Sequence, residues 1–508
     1  MSPAANGSQP CDIVFTGARV IDPETGLDGI RDVGVTGGTI TAVSDTAVSD
    51  TAVSDTALAG RRTIDVSGMV LAPGFIDLHS HAQSRTGLLL QAMDGVTTAL
   101  ELEAGAASVS AALADAEQDG RPVNYGFSAS WLLSRMMLFD DAPLADPMTM
   151  FGANHDRPLW KIPASGRDVD RLLDHVAGEV DNGGIGIGVL VGYAPETGTA
   201  EYFALARRAE QLGMPTFTHT RYISTLEPHT SLEAALEVIA ASAGTGAHMH
   251  MCHVNSTSNR MIDEIAEAIA RAQATGVKVT TEAYPYGSGS TVIGADFLAP
   301  EKLPRMGITP DRLRYLPTGE LVADAERLAE LRANDPGGAA VIQWADETLE
   351  ADRELLLRSL LFPDTAIASD ATPIVAPGGA PVLHDWPVPD ASLTHPRSTG
   401  CYGRTFGWLV RELGVLSLPE AVHRCTLVPA RILEEAVPSM RRKARIQPGA
   451  DADLVVFDPQ TFAEQGDYLV VAPSTGVRHL LVGGQFVIAD GKLDTTSTAG
   501  RPIRSGQR

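Results

Sequence analysis

Two rhythms of apolar and polar residues run through this chain. From Val70 onward, short apolar runs rich in β-branched residues recur at 74–79, 97–103, 124–131, 185–191, 214–219, 247–253, 277–283 and 365–370. Most are followed by segments whose apolar residues fall three and four apart, the helical spacing. In Thr199–Leu212, Tyr202, Leu205, Ala206, Ala209 and Leu212 share one face, and Gly213 stops the pattern. In 260–275, Ile262, Ile265, Ala266 and Ile269 do the same before Gly276. Eight such strand–helix units predict an α/β fold of the TIM type, a (β/α)8 barrel with its chemistry at the C-terminal ends of the strands. The alternative is an open doubly wound sheet. No glycine-rich phosphate fingerprint follows the first strand, which counts against it.

The flanks follow a different pattern. Residues 12–68 hold short β-prone runs divided by Gly and Pro, and β character returns after Ala444 and Val477. The two ends are predicted to pair into one small β-sandwich domain, 9–69 with 440–503, leaving 70–439 as the catalytic barrel. Residues 298–350 break the strand–helix rhythm and predict an inserted subdomain or lid. Residues 371–396 predict a long Pro- and Gly-rich loop, a length usually reserved for functional segments. A Val-Ser-Asp-Thr-Ala unit is repeated in tandem from Val43 to Ala57 and reads as a replicated surface loop.

Composition narrows the function. Hydrophobic residues make up 44% of the 508, enough for a large core. A net charge of -24 disfavours nucleic acid and anionic membrane surfaces as partners. No run approaches the roughly 20 apolar residues of a membrane span, and Met1–Cys11 is polar, unlike a secretory leader. Four cysteines are too few for a disulfide framework in this length, so a reducing cytoplasm is the expected location.

Chemistry-bearing residues collect at the strand ends. His79 and His81 close the first run, and side chains two apart on a strand point the same way. His219 ends the fifth run, His253 the sixth and Asp370 the eighth. Four histidines and a carboxylate on one barrel rim form the donor set of a zinc site. On the second run Glu101 and Glu103 share a face. A carboxylate inside a barrel is costly unless paired or metal-bound. Glu103, nearer the mouth, is the candidate ligand or bridge. Glu101 is expected to support a ligand or to pair with an arginine such as Arg221. His250 reads as a core or supporting residue, and Cys252, by strand parity, as a core thiol facing away from the site. His155, His175, His229, His423 and His479 read as ordinary helix or loop residues, with His384 open.

With these residues in place, the run Gly74-Phe75-Ile76-Asp77-Leu78-His79-Ser80-His81, the strand-end histidines, Asp370 and the Pro448–Phe457 segment resemble the metal-dependent amidohydrolase superfamily. Asp94–Thr98, Glu282–Thr291 and His395-Pro396-Arg397 resemble its D-aminoacylase (N-acyl-D-amino-acid deacylase) family. Leu100–Gly105, Cys252–Ser258 and Ile367–Asp370 resemble the N-acyl-D-glutamate deacylases within it. The resemblance implies zinc-dependent hydrolysis of an N-acyl-D-amino acid, N-acyl-D-glutamate first, with one or two zinc ions. His79, His81, Asp370, His219 and His253 would hold the metal, with Asp370 also the general base. Tyr284 would donate to the amide oxygen, and Arg397 and Ser290 would bind the substrate. Arg221 and Arg404 are candidates for a side-chain carboxylate. The implied partner is a small N-acyl amino acid, with neither nucleic acid nor membrane, and homo-oligomer formation is left open.

Three departures from the family pattern stand out. Ala104 occupies the position of the family's cysteine ligand, so Glu103 must serve in its place. Asn255 replaces a lysine two residues beyond the strand-six histidine. Residues 184–193 contain no lysine, which excludes the carboxylated-lysine bridge of hydantoinase-like relatives. The rival readings are a related amidase acting on a dipeptide, cyclic amide or larger biosynthetic amide, and a catalytically inactive scaffold.

Overall fold

The computed structural model describes residues 10–44 and 58–506. All eight predicted strands form, as β1 (Phe75–Asp77), β2 (Val96–Ala106), β3 (Asn124–Ser130), β4 (Ile187–Leu190), β5 (Thr216–His219), β6 (Met249–Met251), β7 (Val279–Ala283) and β8 (Ala366–Ile367). They lie in sequence order in one sheet, each parallel to the next. The ring closes through a parallel bridge between Ser80 and Ala371, where His81 N–H donates to the Ala371 carbonyl at 2.7 Å. Most strands are shorter than their apolar runs, because the chain leaves extended conformation to present its ends. His253 and Asp370 have φ of 33° and 51°, the left-handed region that L-residues occupy at a cost. The two helices read from periodicity appear at Thr199–Leu212 and Ile262–Ala274.

Both flanks enter one nine-stranded sheet. Val70–Pro73 runs antiparallel to Leu454–Phe457 and pairs through Arg19 and Val20 with Cys11–Asp22. An aromatic cluster joins this sheet to the floor of the barrel. Phe75 of β1 stacks on Tyr402 and Phe406 at 5.0 and 5.3 Å, and Phe457 packs against Phe462 at 5.1 Å. Beside it, buried Lys443 Nζ meets Asp453 at 2.6 Å and Asp451 at 3.2 Å. Asp453 also accepts from Asn124 of β3 at 2.9 Å.

Between β7 and β8 a separate four-stranded sheet forms, Ser288–Val292, Leu313–Tyr315, Glu320–Leu321 and Ala339–Gln343, with the helix Ala325–Asn334. Its first strand precedes the 298–350 segment, because the Ser288–Val292 run pairs with Ala339–Gln343 rather than with the barrel. Within the 371–396 loop the pairing is limited to isolated bridges, Ala371 to Ser80 and Val375 to Pro381 and Leu393. Residues 45–57, nearly all of the tandem repeat, lie outside the described residues. No helix among those described is long and apolar enough to cross a membrane.

Candidate metal centre

The strand ends deliver six donor side chains to one point, and Glu103 sits at its middle. Glu103 Oε2 lies 3.2 Å from His79 Nε2 and 3.6 Å from His81 Nε2. Its other oxygen, Oε1, lies 2.8 Å from His253 Nε2 and 3.3 Å from His219 Nδ1. One carboxylate thus spans two histidine pairs. Asp370 Oδ1 stands on the His79–His81 side, 3.4 and 3.5 Å from their Nε2 atoms. All six residues are buried except His81, which is slightly more open.

The outward nitrogens fix the tautomers. His79 Nδ1 donates to Glu282 at 2.5 Å, and His81 Nδ1 donates to Glu101 at 2.7 Å. With those protons placed on Nδ1, both Nε2 lone pairs face inward, 3.0 Å apart. Two lone pairs at that distance repel unless a proton or a metal ion lies between them. His219 is buried with neither ring nitrogen in a hydrogen bond among the described residues, which leaves a lone pair free for a metal ion. Burial alone would lower the imidazolium of His79, but Glu103, Asp370 and Glu282 hold it well above the ordinary range. Burial likewise opposes ionisation of Glu103, while His79 and His253 hold it well below the usual carboxylate range. The ring of acceptors attracts positive charge, and its N/O donor set suits a divalent ion of the zinc kind. The residues present fit a metal.

Local sequence makes room for this geometry. A Cβ at Gly192 would fall 2.4 Å from the His219 ring, and one at Gly188 of β4 would fall 2.4 Å from the Glu103 carbonyl. At Gly188 of β4 and at Gly192 just after it, the chain therefore passes against the centre with no side chain.

Several predicted residues gather around the centre. Arg397, buried, pairs with Asp370 Oδ2 at 2.8 Å and lies over the Tyr284 ring at 4.4 Å. Its Nε and Nη1 have no hydrogen-bond partner among the described residues. A Cβ at Gly289 would lie 3.1 Å from the Tyr284 hydroxyl and 3.5 Å from Arg397 Nη1, so this glycine keeps a gap open beside both groups. Ser290 lines the same cavity, its hydroxyl on the Ala340 carbonyl at 3.1 Å. His384 stands on the cavity wall.

Other residues do not gather there. Arg221 forms a two-pronged pair with Glu237 at 2.8 Å per contact and donates to the Thr197 carbonyl at 2.6 Å. It takes no part in the centre, and it is not the partner of Glu101, which is held by His81. Arg404 pairs with Glu464 at 2.7 Å and lies between Tyr286 and Trp408. Asn255 uses its amide to clip the Tyr284 and Tyr286 carbonyls, a structural role in place of a substrate contact. Cys252 is buried but does not face away from the site. Its sulfur shares a cluster with the outward nitrogen of His79 and with Glu282, because the left-handed turn at His253 breaks strand parity.

Glu282 is the supporting residue that sequence reasoning passed over. Its Oε1 holds His79, and its Oε2 accepts from His250 at 3.2 Å. It shares strand parity with Tyr284, the signal by which it could have been found.

The centre opens into a cavity of about 980 Å³. His81, Glu103, His219, His253 and Asp370 lie in its wall. The inserted sheet supplies another wall through Gly289–Val292 and Ile342.

A family model for amidohydrolases matches residues 163–488. The N-acyl-D-glutamate deacylase of Alcaligenes xylosoxydans xylosoxydans is 27% identical over 93% of each chain. The D-aminoacylase of the same organism is 27% identical over 91% of each. The crystal structure of an N-acyl-D-glutamate deacylase from Bordetella bronchiseptica, complexed with zinc and a phosphonate inhibitor, superposes with a TM-score of 0.73. That superposition spans 98% of this chain and all of the other, at 24% identity.

Proposed function

This chain belongs to the amidohydrolase family, and from that premise we propose that it hydrolyses the amide bond of N-acyl-D-amino acids with zinc as its metal. The observation that carries the reading is the Glu103 carboxylate spanning His79–His81 on one side and His219–His253 on the other. Two relatives that span nearly the whole chain, a deacylase of N-acyl-D-glutamate and a D-aminoacylase, support the substrate class. The D-glutamate preference loses its two expected side-chain partners, since Arg221 and Arg404 are committed to Glu237 and Glu464. We therefore propose the class, N-acyl-D-amino acids, ahead of the acidic member.

His79, His81 and Asp370 would hold one ion and His219 and His253 a second, with Glu103 between them. A divalent ion held there supplies a Lewis acid that polarises the amide carbonyl and makes water acidic enough to attack near neutral pH. Asp370 faces the cavity and takes the proton of the attacking water, then passes it to the leaving nitrogen. Tyr284 donates its O–H to the amide oxygen as negative charge develops. Burial pushes that phenol up, so it keeps its proton for donation. Arg397 turns its unpartnered Nε and Nη1 toward the substrate carboxylate, with Gly289 leaving the space for it.

The test is amine release by zinc-reconstituted protein from N-acetyl-D-glutamate, N-acetyl-D-methionine, their L-forms and a β-aspartyl dipeptide. Turnover confined to the D-forms is expected. Faster turnover of the dipeptide would replace the reading with a peptidase of the same family. Metal-loaded protein inert to all of them and to longer-chain acyl forms of the same D-amino acids would end it.

A further inference from the structure

We propose that the cavity carries an arm for a long, uncharged acyl group, so that the preferred substrates are medium- or long-chain N-acyl-D-amino acids rather than acetylated ones. The inference rests on the deacylase reading above and goes on to name the acyl half of the substrate. At about 980 Å³ the cavity lies near the top of the range for drug-sized ligands, far beyond what an acetylated amino acid fills. The groups for the substrate carboxylate, Arg397 and Ser290, come from the segment after the 371–396 loop and from the inserted sheet. With the scissile amide over the donors, the acyl group points across the rim toward β2. There the cavity wall turns apolar. Ala107, Ala111 and Ala112 line it from the β2 loop and the helix Val109–Asp119. Leu144, Met148 and Phe151 line it from the segment before the helix Pro147–Ala153 and from that helix.

Methyl groups beside large apolar side chains leave width for a chain and offer it no hydrogen bond. Leu144 is 55% exposed, an apolar side chain left uncovered on this wall. The arm also discriminates by charge. Its one guanidinium among the described lining residues is Arg121, and Asp119, Asp146 and Asp115 all act on it. Three carboxylates against one guanidinium repel an acyl group that ends in a carboxylate. Each methylene buried against such a wall strengthens binding by roughly fourfold. The reaction itself is unchanged. The amide C–N bond breaks, water oxygen bonds to the acyl carbon to give a fatty carboxylate, and the amine leaves with the water proton.

The experiment compares kcat/KM of the zinc-loaded enzyme on acetyl, hexanoyl, decanoyl and succinyl derivatives of one D-amino acid. A rise of at least tenfold from acetyl to decanoyl is expected, with succinyl no better than acetyl. Ala111→Trp and, independently, Leu144→Asp change residues of this apolar wall. Each should lower the decanoyl-to-acetyl ratio at least tenfold. Acetyl turned over as fast as decanoyl, or a ratio unmoved in both variants, overturns the arm. If no derivative is hydrolysed, the deacylase reading fails, and the arm is then read by calorimetry with decanoate. Binding that Ala111→Trp weakens supports the arm, and no binding overturns it.

Discussion

At the residue scale, Asp370 and Glu103 carry different burdens, and substitution separates them. Asp370 touches the donors only at 3.4 and 3.5 Å and has a second oxygen on Arg397. Asp370→Asn is expected to keep its metal while kcat falls about 10³-fold, checked by elemental analysis beside initial rates. Glu103 touches both histidine pairs, so Glu103→Gln should lower the bound metal per chain itself. A variant with full metal and slow turnover would assign Glu103 to chemistry instead. Arg221→Ala leaves Glu237 with a mostly buried, unpaired charge and should cost about 3 kcal/mol of stability with KM unchanged. Denaturant titration and steady-state rates read the two effects apart. The histidines, Glu103 and Asp370 were legible in the sequence because each closes an apolar run, where parity and position suffice. Arg221 was not, since its partner lies on a helix packed alongside it and only tertiary contact selects Glu237 over Glu101. Glu282 was half legible: its parity was visible, but the two histidines it joins come from different strands.

At the element scale, the rim depends on two glycines, Gly188 in β4 and Gly192 in the turn after it. Gly192→Ala would drive a methyl group into the His219 ring, so it should weaken metal binding with little change in the fold. Metal titration followed by circular dichroism on the same sample tests both halves of that expectation. The eight strands were legible as apolar runs, although their ends were not. His253 and Asp370 leave the strand through left-handed conformations, which Asp and His adopt more readily than most residues but too rarely for the sequence to place them. The same turns explain why Cys252 sits beside the site and not behind it. The inserted sheet was placed too late in the chain because Ser288–Val292 contains small polar residues and pairs with a strand far along the sequence.

At the scale of the whole molecule, the barrel stands on a sheet woven from both chain ends, and Asp453, paired with Lys443, ties the two together through Asn124. Burial alone would lower the Lys443 ammonium, but Asp453 and Asp451 more than offset this and raise it above 10.5. A raised folded value means the contribution is fully present below pH 10.5 and is lost as pH rises through the higher folded value. Lys443→Met should therefore lower the melting temperature markedly at pH 8, and the gap to the wild type should narrow toward pH 12.

The pairing of Val70–Pro73 with Leu454–Phe457 has a consequence for how the molecule is made. On the ribosome, the amino-terminal strands emerge first and must wait, one edge open, for a partner that is synthesised after the entire barrel. The barrel is thus completed on an unfinished base. An open, apolar strand edge is the surface on which nascent chains associate wrongly. The last strands to be translated act as a latch, and any interruption of synthesis between the eighth barrel strand and Leu454 would release a chain with its barrel rim formed and its foundation exposed.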